Sequence, residues 1–207
     1  LTSIAFLLAA TLAAGALAEP GADEHLLAGA RAFRAGQFAE ALVQFRVADK
    51  LGHSGEAPWY AAAALVKLKR PEESVEAFAD AEKRAPRVRD DLFDYYRAVA
   101  CNDARLYLCA DKLLARVGER AGPRIREEAQ KLRAGIEAIL SPEPSKGSID
   151  WYHARAAAAA KGGRGVLAQA YLEEAAGLSA RRQDRYRAEE TALARTRQGV
   201  PARSEPK

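Results

Sequence analysis

The chain of 207 residues has no methionine, two cysteines, three histidines and few aromatics. Two cysteines, Cys101 and Cys109, are too few for a disulfide-stapled miniature fold, and they form neither a CxxC pair nor a zinc-type cluster. His25, His53 and His153 share no metal-ligand spacing. No GxSxG elbow, HExxH helix or GxxxxGK[ST] loop is present, and no Cys-His pair has a plausible base. Gly162-Gly163-Arg164-Gly165 follows an alanine-rich helix rather than a strand, so it reads as a turn and not as a phosphate loop. The carboxylate pairs Glu72-Glu73, Glu127-Glu128 and Glu173-Glu174 fall on predicted helix exteriors. Catalysis, a cofactor and a metal centre are therefore not expected.

Strand signals are missing as well. β-branched residues are scattered, and no segment alternates apolar and polar residues between turn signals. What is abundant is alanine, within a composition that is 49% hydrophobic and 29% charged. Alanine is the best helix former and lets helices approach closely, so the expected class is all-α. The net charge of +4 is small for this length. Between Arg181 and Lys207, eight basic side chains face four acidic ones, so this stretch carries the whole excess. Elsewhere acids and bases interleave, which does not suit a specific nucleic-acid binder. The C-terminal stretch reads as a solvated helix or, alternatively, as a surface for a polyanion.

Residues 1–18, LTSIAFLLAATLAAGALA, contain no charge and end on Ala16-Leu17-Ala18 ahead of Glu19-Pro20. A short apolar stretch closed by a small-x-small site is the pattern of an export signal. Cleavage after Ala18 and a periplasmic or secreted chain are expected. The stretch is shorter than the roughly 20 residues a spanning helix needs, so no permanent membrane span is expected. In an oxidising compartment Cys101 and Cys109, which flank the bend of a predicted hairpin, could form a disulfide; they could equally pack as two buried thiols.

Proline and glycine divide the rest into helices: about 24–35, 38–51, 59–69, 71–84, 90–102, 105–117, and one from Pro123 with an apolar stripe of Ile125, Ala129, Leu132, Ile136 and Ile139. The repeats are expected over 19–140. Ser141 to Ser148 reads as a linker, 149–198 as a further hairpin (149–161 and 166–178) with a separate capping helix from about Ala180, and 199–207 as a disordered tail. Within this series one pattern occurs twice. Gly29, Ala32, Gly36, Ala41, Phe45 and Ala48 correspond to Ala62, Leu65, Lys69, Ser74, Phe78 and Ala81, displaced by 33 positions. A third copy, with Ala98 and Ala110, follows after a spacer of 36. A short period of this kind marks stacked helix pairs.

These residues resemble the tetratricopeptide repeat (TPR) family. Gly29 and Ala41, then Ala62 and Ser74, fit its small helix-crossing sites; Phe45 and Phe78 fit its aromatic position, Ala48 and Ala81 its last small site, and Pro86 its exit proline. The first copy has His53 in place of that proline, and Ala32 and Leu65 replace the family's first-helix tyrosine. The resemblance implies a right-handed superhelical stack of antiparallel hairpins, ended by a charged C-terminal helix. It also implies a groove lined by the first helix of each pair. Carried over by position, the partner-binding residues are Leu26, Phe33 and Arg34, then Trp59, Val66 and Lys67, then Tyr95 and Asn102. Trp59 and Tyr95 have a second reading, as packing between neighbouring units. The expected function is a non-enzymatic interaction scaffold or adaptor of a bacterial envelope, monomeric, holding a protein or peptide partner.

Overall fold

The computed structural model describes residues 21–52, 55–88 and 90–197. The expected leader, His53 and the expected tail lie outside them. The described residues form α1 (Ala22–Arg34), α2 (Phe38–Leu51), α3 (Ala57–Lys67), α4 (Pro71–Arg84), α5 (Asp91–Asp103), α6 (Tyr107–Leu114), α7 (Gly122–Leu140), α8 (Lys146–Lys161) and α9 (Gly165–Arg197), with no strand among them.

Local chemistry explains most of the boundaries. Asp90 caps α5 by accepting a hydrogen bond from the Phe93 N–H at 2.8 Å, and Ser145 caps α8 through the Ser148 N–H at 3.0 Å. Pro71 opens α4, with Glu72 and Glu73 at its electropositive end. Pro58 lies inside the first turn of α3, so that helix starts at Ala57, two residues before the sequence suggests.

The hairpin turns are built alike. Gly36, Lys69, Arg105 and Gly163 all take a left-handed backbone, with φ of 77°, 57°, 63° and 73°. In each turn the next N–H reaches back to a carbonyl five residues earlier: Gln37 to Ala32, Arg70 to Leu65, Leu106 to Cys101 and Arg164 to Ala159, at 2.7–3.0 Å. The offsets of 33 and 36 residues are thus written into the backbone. Lys69 and Arg105 adopt this conformation without being glycine, at a steric cost of about 1–2 kcal/mol each.

Small residues set the distances between helices. A Cβ at Gly29 would stand 2.6 Å from the Phe45 ring, which is wholly buried. In the second hairpin Ala62 takes the place of Gly29, and Ser74, in the place of Ala41, donates its hydroxyl to the Ala62 carbonyl at 2.9 Å. Three hairpins, α1 with α2, α3 with α4 and α5 with α6, follow one another, each second helix packing on the next first helix; α1, α3, α5 and α7 also touch in succession. Ala61–Ala64 of α3 are all buried, and these small side chains let α1 and α5 come close from either side.

Two expectations for the C-terminal part do not hold. The helices assigned to 166–178 and from Ala180 onward are one continuous helix, α9, because nothing between them breaks the backbone ladder; Ser179 directs its hydroxyl to the Ala175 carbonyl at 2.9 Å. The α8–α9 hairpin also does not extend the row. It turns back, and α9 lies against both α4 and α6. The expected linker at 141–148 shortens to 141–145, because Ser145 caps α8 at Lys146, and it is fastened rather than free: Arg181 and Arg185 donate to the carbonyls of Leu140 and Ser141, and Arg182 pairs with Glu143. In α7 the apolar stripe drifts by its end, so Leu140 is buried while Ile139 is half exposed.

Candidate functional site

The predicted groove residues separate into two groups. Trp59 is completely enclosed: its indole N–H donates to the Ala85 carbonyl at 3.0 Å, and its ring lies between Phe78 and Phe93 at 6.0 and 5.3 Å. Val66 is buried in the same core. Both serve packing and present nothing to a partner, because the alanine-rich α3 is covered on nearly every side. Leu26 packs half-buried against the α1–α3 core, Asn102 bonds to its neighbour Asp103, and Arg34 is exposed with its guanidinium folded onto the Ala30 carbonyl.

Phe33, Lys67 and Tyr95 belong to one strip that crosses the first helices of the pairs. The residue joining them is Tyr96, which is not among the expected groove residues. Phe33 meets the Tyr96 ring edge-on at 6.2 Å and Phe38 at 5.2 Å. Lys67 holds its ammonium 5.2 Å from the Tyr96 centroid, and Tyr95 lies beside Tyr96 at 5.7 Å. Tyr95 extends the strip to α7 by donating its hydroxyl to Glu128 at 2.9 Å, and Glu128 also accepts from Arg124. Burial and the bond to Glu128 raise the Tyr95 phenol well above the usual range, so it stays a donor at any physiological pH. The hydrogen bond from Tyr95 and the one from Arg124 keep Glu128 ionised. The signal for Tyr96 was its adjacency to Tyr95; a helix rotates 100° per residue, so two neighbours can face one broad strip.

No family model, no curated protein and no solved structure matches the chain.

Cys101, in the last turn of α5, and Cys109, in the first turn of α6, are free thiols that share a hydrogen bond. The bond from Cys101 lowers Cys109, whose thiolate it stabilises; the same bond, together with complete burial, raises Cys101. Both line a cleft of about 650 Å³ between α4, α5, α6 and α9. Glu174 of α9 lines it too, accepting from the N–H groups of Leu108 and Cys109 at 2.6 and 3.3 Å. Burial pushes the Glu174 carboxyl up to about 7 even though these backbone bonds favour its ionised form. Among the described residues no three His, Cys, Asp or Glu side chains come together as a metal cluster, and no helix is long and apolar enough to cross a membrane.

Proposed function

We propose that this protein is a non-enzymatic, exported helical-repeat scaffold of the TPR type, acting in a bacterial envelope and holding an extended protein segment along the strip formed by Phe33, Lys67, Tyr95 and Tyr96. The observation that carries the reading is the Phe33–Tyr96 contact. Two half-buried aromatic rings from helices two repeats apart meet across α3, with a cation over one of them, and remain open to solvent. Aromatic anchors on a rigid helical surface are where binding energy concentrates. The exposed charges of Arg34, Lys67 and Arg124 suit a segment with acidic as well as apolar residues. The leader pattern at 1–18 supports export, and the matching turns of the first three hairpins, at Gly36, Lys69 and Arg105, support the repeat family. The arginines of the alternative, polyanion-binding reading are partly engaged: Arg181, Arg182 and Arg185 hold the α7–α8 connection.

The test is selection from a random peptide library on the wild-type chain and on a Phe33→Ala/Tyr96→Ala variant of unchanged helicity. Apolar-acidic sequences enriched by the wild type and lost by the variant are expected. Equal recovery on both proteins removes the strip from the account. Export is checked separately by fusing residues 1–20 to a reporter active only outside the cytoplasm.

A further inference from the structure

On the edge that carries the hairpin turns, a second cleft of about 590 Å³ opens between the α3–α4 and α5–α6 turns and the returning α8–α9 hairpin. Its charges do not balance. Arg70 is satisfied by a two-pronged pairing with Glu73, and Asp103 is paired with Lys69. That leaves Arg105, Arg155 and Arg164 with one carboxylate, Glu72, which accepts from Arg155, from Arg164 at 2.5 Å and from the Tyr171 hydroxyl at 3.1 Å. Arg105 meets no carboxylate among the described residues. Its guanidinium is held over the Trp151 ring at 5.5 Å, with Arg155 at 5.7 Å from the same ring.

Three guanidiniums against one carboxylate leave an excess of two positive charges around an open cavity. A guanidinium stacked on an aromatic ring spends its face on the ring and keeps its N–H edge for an anion, in a fixed direction. The first turn of α4 borders the cleft and adds the positive end of a helix. The volume exceeds that of a bare oxyanion and suits one attached to an organic body. Glu72 already shows how an oxyanion is gripped there.

We propose that this cleft binds a phosphate monoester, its dianion held by Arg105 and Arg155 beside Trp151, with Glu72 as the resident competitor. The group could be carried by a small molecule or by a phosphorylated side chain of a peptide. The site is independent of the strip on the first helices.

Trp59 is fully enclosed, so a change of tryptophan fluorescence on ligand addition reports Trp151, and Trp151→Phe should abolish it. The probes are inorganic phosphate, phenyl phosphate, and a phosphoserine hexapeptide with its unphosphorylated form, each against chloride at equal ionic strength. A saturable response to phosphate and its esters, absent with chloride, is expected. Arg105→Gln should weaken binding about tenfold, as loss of a charged hydrogen bond does, while Arg105→Lys recovers part of it. Glu72→Gln should tighten binding, by about threefold or more, because it removes the competing charge. A merely structural ion pair would give the opposite, since losing Glu72 would loosen the cleft. A response indistinguishable from chloride, or a Glu72→Gln variant with native circular dichroism that binds no better than wild type, overturns the proposal. Tighter binding of the phosphopeptide than of phenyl phosphate assigns the source to a protein; the reverse order assigns it to a small molecule.

Discussion

Glu174, in the first third of α9, caps a helix that is not its own: its carboxylate accepts from the Leu108 N–H at 2.6 Å, at the start of α6 and 66 residues away in sequence. The group is almost fully buried, and the first turn of α6 depends on it. Glu174→Ala should therefore cost about 1–3 kcal/mol, the range for losing a cap and stranding buried donors. Chemical denaturation at constant pH measures this.

The same carboxyl makes stability depend on pH. Its folded value, about 7, lies above its ordinary 4.5, so the protonated form suits the folded state better. The contribution is fully present below about pH 4.5 and is lost as pH rises to about 7, on the order of 3 kcal/mol at most. Glu174→Gln, which keeps an acceptor and carries no charge, should lose that dependence. Denaturation midpoints of both proteins at several pH values in this window should converge at the acid end and diverge toward neutrality, with Gln the more stable. Parallel curves would show that the carboxyl does not change protonation there.

Gly29→Ala and Gly177→Ala make a contrasting pair. Each new Cβ would come within 2.6 Å of a side chain, the Phe45 ring in one case and the tip of Leu108 in the other. Phe45 is a fully buried ring with no room to turn, so Gly29→Ala should destabilise by about 1–3 kcal/mol despite alanine's better helix propensity. Leu108 is half-buried and can change rotamer, so Gly177→Ala should be close to neutral. Urea midpoints of the two variants decide the order.

Lys69 pays for its left-handed backbone and gains only a surface ion pair with Asp103. Exposed pairs contribute little, so Lys69→Gly should raise stability by about 0.5–1 kcal/mol once the steric relief is set against glycine's greater freedom when unfolded. A lower urea midpoint would mean that the ion pair matters more than its exposure suggests.

Alkylation should distinguish the two thiols. Cys109, lowered by the hydrogen bond from Cys101, should react first, and Cys101, buried and raised, should stay protected until the fold opens. Cys101→Ala removes the donor and should slow the modification of Cys109. Mass spectrometry of timed iodoacetamide samples gives both rates.

The hairpins were legible because their signals are local. Glycine and proline mark the turns, and Ala41 and Phe45 recur as Ser74 and Phe78 at an offset fixed by the backbone geometry of each unit. The path of α9 was not legible. Its docking rests on Glu174, Tyr171 and Arg164 meeting groups at Leu108, Ala104 and Glu72, and no spacing along the chain encodes contacts across so many residues. The same limit explains the site. Tyr95 could be placed by register, but Trp59 occupied the equivalent register one unit earlier and is sealed by Phe78 and Phe93, which belong to other helices. Tyr96 gained its importance from Phe33, on a different hairpin.

A plain row of helix pairs unravels from either end, since each unit depends only on its neighbours. The returning α9 changes that at one end. By binding α4 and α6 together, and with Glu72 clasped by Arg155 and Arg164, it ties residues from Pro71 onward into a ring of mutual dependence, in which no unit can peel away first. The α1–α2 pair stays outside that ring, joined chiefly through α3. Amide exchange should show two tiers: early opening of α1 and α2, which carries Phe33 away from Tyr96, and a single, later event that releases α4 to α9 at once.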